Sequence, residues 1–238
     1  MARRLATGIG LDLRQRNALL ASAGYVADYP ETPLSSPDLA YVRAALQIII
    51  DGHGVIPAIA VQHPGIGIAA NDAMGLLIDG IAGHLLEPPV NVHRLALHPN
   101  GMARRIDNFP AWAAHVIRAA DERASRHGDP QLFELADELR TYLPPAARPD
   151  LLAGTVAPMV LRTRHGRAEL MTTRMTFANP IDATLLDIEI EAFIPADQAS
   201  MRVLNDYARD TAGAKRSAAL RSLNTLEPTT AALQAAGR

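Results

Sequence analysis

Arg94 and His98 head the residues whose types and spacing could do chemistry. In Asn91-Val92-His93-Arg94-Leu95-Ala96-Leu97-His98, the polar groups Asn91, Arg94 and His98 stand at i, i+3 and i+7, one face of a helix. Val92, Leu95, Leu97 and the single tryptophan, Trp112, surround them with apolar walls. An arginine and a histidine in such a setting could orient an anionic head group on an otherwise greasy ligand. The competing role is mechanical, with Arg94 pairing to a carboxylate such as Asp107 or Glu87 and fastening loops.

Other constellations offer less. Gly65-Ile66-Gly67-Ile68-Ala69-Ala70 fits the G-x-G-x-x-G/A dinucleotide fingerprint, follows a strand-like run and has Glu87 where a ribose-binding acid would sit. That fingerprint needs a helix beginning at its second glycine, whereas Asn71-Asp72 reads as a cap several residues later. The remainder of the chain also lacks alternating βαβ units. A nucleotide-dependent enzyme using this turn is therefore the alternative reading, not the first. The eight histidines form no HxH or HExxH pattern, so neither a metal site nor a cofactor is predicted. There is no G-x-S-x-G and no cysteine for nucleophilic catalysis, so no catalytic residue is assigned. The paired carboxylates Asp137-Glu138 and Glu189/Glu191 read as solvated surface.

These residues must be positioned by a chain of 238 residues that is 48% hydrophobic, enough for one large domain with a substantial core. Its 23 basic and 25 acidic residues nearly balance, without the basic footprint of a chain that grips phosphates itself. Zero cysteine excludes a disulfide framework and thiolate metal sites. Only Lys215 among the basic residues is lysine, a usage typical of a GC-rich bacterial genome. Arg3 and Arg4 are not followed by the apolar run of a secretory signal. The uncharged stretch 52–71 is interrupted by His53, Pro57, Gln62, His63 and Pro64, so no membrane span and a cytoplasmic location are expected.

Local signals divide the chain in three. Residues 1–38 hold a helix around Leu11 to Ala21 and a proline-rich linker from Tyr29 to Asp38. Ser36-Pro37-Asp38 leads into the domain, 39–205, by starting a helix whose Val42, Ala45, Leu46 and Ile49 share a face. Ala58–Val61 and Ile66–Ala70 form a hairpin. Asn71 or Asp72 caps a helix to about Ala82, and Asn91 caps a short one. Asn108 opens a long helix to about His127. Asp129-Pro130 opens another, with a stripe of Leu132, Leu135, Ala136 and Leu139. Then come strands at Met159–Thr163, Ala168–Phe177 and Thr184–Ile194. In the last of them Leu186, Ile188, Ile190 and Ala192 alternate with acids, predicting a sheet face in water. Residues 206–238 read as a disordered tail. Strands at both ends of a helical middle predict an α+β domain with one five-stranded antiparallel sheet.

In this order, Leu13-Arg14-Gln15-Arg16-Asn17-Ala18-Leu19-Leu20, Ala23-Gly24-Tyr25, Pro57-Ala58, Ala69-Ala70-Asn71-Asp72-Ala73, Asn91 through Gly101, Ile106-Asp107-Asn108 and Trp112 resemble the C-terminal ligand-binding region of MmyB-like helix-turn-helix (XRE-type) transcription regulators of actinobacteria. The resemblance runs from about residue 3 to about 200. It implies a PAS-like domain, with helices covering one face of the sheet, that senses a small molecule. It also implies a DNA-binding helix-turn-helix, of which Ala2-Arg3-Arg4-Leu5-Ala6 looks like the last helix. Where the family's hairpin carries an acid and a tryptophan at its turn, this chain has Gln62-His63-Pro64-Gly65.

The expectation is an effector-sensing domain, not an enzyme, that contacts DNA only through a missing N-terminal domain. Its expected partners are a small apolar or amphipathic effector and a second copy of the chain. Arg94 and His98 are expected to hold the polar head, Asn91 and Asn71 to order helix ends at the pocket, and Trp112 to form its wall.

Overall fold

The computed structural model describes Gly8 and residues 10–144, 158–178 and 180–212. The expected last helix of a helix-turn-helix, at residues 2–6, lies outside these, as do residues 213–238 of the expected tail.

The first helix, α1 (Leu13–Ser22), starts at a reciprocal capping box in which Asp12 accepts from the Gln15 backbone N–H and the Gln15 side chain accepts from that of Asp12. The proline-rich segment after it forms no regular element until a 3₁₀ turn at Pro37–Leu39, entered through a Ser36 cap, which runs into α2 (Ala40–Asp51). The hairpin is β1 (Ala58–Gln62) and β2 (Ile66–Ala70). A helical layer follows: α3 (Gly75–Ile78), α4 (Val92–Leu97), α5 (Phe109–His127) and α6 (Pro130–Thr141), with short 3₁₀ turns between. The chain closes with β3 (Met159–Thr163), β4 (Gly166–Thr176), α7 (Ala183–Leu186), β5 (Ile188–Pro195) and α8 (Gln198–Thr211).

All five strands join one antiparallel sheet in the order β2-β1-β5-β4-β3, an α+β, PAS-like arrangement in which the last strand inserts at the centre between the hairpin and β4. The main helical layer covers one face. There Ile59, Val61, Met159, Leu161 and Leu170 share a core with Leu77, Trp112, Leu135 and Leu139 of the helices. A second, smaller core lies on the opposite face, where Val42, Leu46 and Ile50 of α2 pack on Ala58, Ala60, Ile188 and Ile190.

Several expected elements differ from those observed. The buried face of α2 is Val42, Leu46 and Ile50, and Ile49, expected on that face, is exposed instead. The helix expected from Asn71 to Ala82 is a 3₁₀ turn (Asp72–Met74) plus one turn of α-helix, ended at Asp79 and followed by Gly80 with φ +70°. Thr184–Leu186 forms the helical turn α7 under an Asp182 cap, so the last strand starts only at Ile188. Helix α8 was not expected, and it extends into the region read as a tail. Its Asp197 cap and its buried Ser200, Val203, Leu204 and Tyr207 at i, i+3, i+4 and i+7 were legible signals.

The largest correction concerns β5. Its acidic alternation predicted a wet face, yet Glu189 and Glu191 point toward the helical layer, and Glu191 is only 9% exposed. Antiparallel register sets Arg174 of β4 opposite Glu191, and α5 lays Arg123 over Glu189. Each carboxylate enters the interior with its own cation, the condition under which burial of charge is tolerated. No helix among the described residues is long and apolar enough to cross a membrane.

Candidate functional site

Arg123 donates from both terminal nitrogens to the two oxygens of Glu189, each at 2.8 Å, a forked pair that fixes α5 over the centre of the sheet. Arg174 donates to Glu191 at 3.1 Å beside it. Burial pushes the Glu191 carboxyl above its ordinary value although Arg174 works against this. His93 of α4 approaches the same layer with its ring against Gly65 of the β1–β2 turn. Although the residue keeps some accessible surface, desolvation and then the nearby Arg123 hold its imidazole down to about 4, so it is neutral at pH 7. His63, on the same turn, meets the Asp129 carboxylate through Nε2, tying the hairpin to the N-cap of α6. Desolvation opposes ionisation of Asp129, but His63 and the backbone N–H groups of Gln131 and Leu132 hold its carboxyl below the usual range.

A cleft of ≈ 420 Å³ opens between this charged layer and α1. From α1 it is lined by Asp12, Arg14, Gln15 and Ala18. Val61, His63 and Gly65 come from the hairpin, and Asp187, Glu189 and Leu186 from β5 and the turn before it. Arg123 and Asp129 complete the far wall. Its size falls within the range of small-molecule sites, about 300–1,000 Å³. Arg14 donates to Asp187 at 2.5 Å and to Glu31 at 3.4 Å. The Asp187 carboxyl is pushed up by burial, with Arg14 opposing. Helix α1 is held there by Asn17, whose buried side chain accepts from Tyr29 N and donates to Tyr29 O and Glu31.

The five residues expected from sequence to bind the effector lie elsewhere, and none of them lines this cleft. Asn71 sits at the helix N-cap position but makes no cap bond. Its Oδ1 accepts from Ala58 N and its Nδ2 donates to Ile56 O at 2.8 Å, closing the loop that leads from α2 into β1. Asn91 does cap α4, accepting from His93 N and Arg94 N, and donates to Pro64 O. Arg94 makes a forked pair with Glu138 of α6, not with Asp107 or Glu87. His98 stacks edge-on against Tyr142, whose hydroxyl donates to the same Glu138, and against His84. The structure therefore brings Arg94 and His98 together in one half-exposed cluster between α4 and α6, away from Asn71. Trp112 is 5% exposed, inside the large core.

Sequence reasoning missed Arg123, Glu189, His63 and Asp187. The acidic alternation of β5 was the one available signal, and it was assigned to solvent. The fingerprint glycines are also resolved: Gly65 forms the hairpin turn with φ +103° and Gly67 lies within β2, so no helix begins at the second glycine to receive a pyrophosphate.

No curated protein matches the chain at a significant level. The family model of the MmyB-like transcription regulator ligand binding domain matches residues 42–206, which cover most of the chain, and the protein belongs to that family.

Proposed function

We propose that residues 39–205 sense a small amphipathic effector in the cleft beneath α1, and that α1 relays its presence to DNA binding. Membership of the family makes this a ligand-binding domain of a transcription regulator. The observation that carries the assignment of the site is the lining of the cleft, which is shared between α1 and the charged centre of the sheet. A molecule held there touches both, so it has different affinities for docked and undocked α1 and shifts that equilibrium. On this reading the domain acts in the cytoplasm, DNA contact belongs to a helix-turn-helix outside the sensing residues, and a second copy of the chain is a natural recipient of the relay. The domain itself is not assigned catalysis.

Native mass spectrometry of freshly purified protein tests this. A co-purified small molecule is expected, and Ala18→Trp, a change at an exposed α1 position that fills the cleft, should abolish it while leaving the melting temperature within a few degrees. A second reading keeps the polar head at Arg94 and His98, with Asn91 and Asn71 ordering helix ends and Trp112 as a wall. It is favoured by the meeting of Arg94, Glu138, Tyr142 and His98 in one cluster. Under that reading Arg94→Ala removes the ligand and Ala18→Trp does not. Under the first, Arg94→Ala leaves binding intact and costs about 1 kcal/mol of stability or less, as for a half-exposed ion pair.

A further inference from the structure

We infer that a second copy of this chain docks on the α2 side of the sheet, so that each α2 is held between its own sheet and β4 of the partner subunit. The inference gives the second copy a surface and does not depend on which site holds the effector.

Exposed apolar side chains single out this side. Helix α2 buries Val42, Leu46 and Ile50 against its own sheet, yet its Tyr41 and Ile48 are 70% and 72% exposed and Ile49 is exposed as well. Only Arg43, Gln47 and Asp51 interrupt its apolar sequence. A helix that is apolar on its outer side too has the composition of one buried on both sides. In β4, Met171 and Met175 stand opposite Ile194 and Ile190 of β5 in register. Cross-strand partners share a face, and Ile190 belongs to the core under α2, so both methionines point to the α2 side. Both are exposed.

Width accounts for the bare strip. A helix with its side chains is about 10 Å across and strands lie about 4.8 Å apart, so one helix covers about two strands. Helix α2 packs on β1 and β2. The stretch of β4 from Met171 to Met175, beside β5, therefore forms a shelf with room for one more helix, and its apolar side chains there are unbranched methionines that adapt to a partner's shape.

A second copy fits this vacancy because one operation covers both bare sets. A two-fold axis parallel to α2 lays the second α2 beside the first at the same level, with its outer side on the shelf. The end of α2 that carries Ile48 lies at the start of β1, where Asn71 donates to the Ile50 carbonyl. Register through β5 places Met171 at that same end and Met175 toward the other. Ile48 thus meets Met171 of the partner subunit, and Tyr41 meets Met175 of the partner subunit. The spacings agree: seven helical residues rise about 10 Å and four strand residues about 13 Å. A foreign helix on the shelf would leave Tyr41 and Ile48 in water. The strip is about 18 Å long and two helices wide, so the two copies cover roughly 1,000 Å² between them, the lower end of specific interfaces. The dimer is therefore reversible and concentration-dependent.

Sedimentation equilibrium of the full chain from micromolar to millimolar concentration tests the inference. Wild type is expected to dimerise within that range. Ile48→Glu and Met171→Lys should each weaken the dimer about tenfold or more, the effect of a charge at the centre of an apolar contact. Both sites are exposed, so the circular dichroism of each variant should stay that of wild type. Phe133→Glu, the same change at an exposed site of α6, should leave the dimer intact. Mixing Ile48→Glu with Met171→Lys should restore association, since one contact of the mixed dimer then joins a carboxylate to an ammonium and the other keeps Ile48 on Met171 of the partner subunit. A wild-type chain still monomeric at millimolar concentration, a dimer indifferent to both substitutions, or a mixture that stays monomeric overturns the inference.

Discussion

At Gly65 the turn between β1 and β2 takes φ +103°, and an added Cβ would lie 2.6 Å from Cδ2 of His93. A side chain there meets backbone strain of about 1–2 kcal/mol and a ring that must move, an overpacking cost of about 1–3 kcal/mol. Gly65→Ala is therefore expected to lower stability by about 2–5 kcal/mol, read as a lower urea midpoint. His93 itself makes stability depend on pH. Its folded-state pKa, about 4, lies below the ordinary 6.5, so between those values the unfolded chain binds the extra proton. Stability should fall as pH drops from 6.5 toward 4, by up to about 3 kcal/mol from this group. His93→Gln should lose that part of the slope when urea midpoints are compared at pH 7 and pH 5. A slope unchanged by the substitution would show that the imidazole is not held neutral.

Caps set most of the elements, and caps are local. Asp12, Ser36, Asn91 and Asp129 each accept from backbone N–H groups two or three residues ahead, and all begin helices close to where sequence spacing placed them. Asn71 and Asn108 look the same in sequence but are used differently, bonding across the fold to β1 and β3. Docking of α1 likewise draws on polar side chains, Asn17 on Tyr29 and Arg14 on Asp187. Asn17→Ala would leave the backbone N–H and C=O of Tyr29 without their partner, costing about 1–3 kcal/mol locally. Hydrogen exchange should then rise across 13–22 and 29–31 and stay unchanged in β5, since the loss is confined to the strap. Loss of protection throughout the sheet would mean that α1 is part of the global folding unit and not a separable relay.

Across the whole molecule, one sheet carries a core on each face, and the two share their strands. Ile59 and Val61 of β1 face the helical layer, while Ala58 and Ala60 of the same strand face α2. The cores should therefore unfold together. Leu46→Ala under α2 and Leu161→Ala under the helical layer remove fully buried side chains and should each cost about 2–5 kcal/mol. In both variants the fluorescence of Trp112, which lies in the large core only, is expected to change at the same urea concentration as the far-ultraviolet dichroism. Separate transitions in Leu46→Ala would show that α2 and its core form an independent layer.

The sequence by itself determined the α+β class, the hairpin, the strong helices and the ordered motifs shared with the family, because caps, turns and hydrophobic periods act within a few residues. Only the tertiary structure decided where the charged groups go. Alternation along β5 shows that Glu189 and Glu191 share a face but not whether that face meets water. The answer depends on Arg174 being opposite in register and on Arg123 arriving from α5, 66 residues away. In the same way, Arg94 lies on α4 and His98 just past its end, and the pairing of Arg94 was open until α6 brought Glu138 against it. A buried charge is stable only where a partner from elsewhere in the chain reaches it, and that long-range meeting is what local spacing does not record.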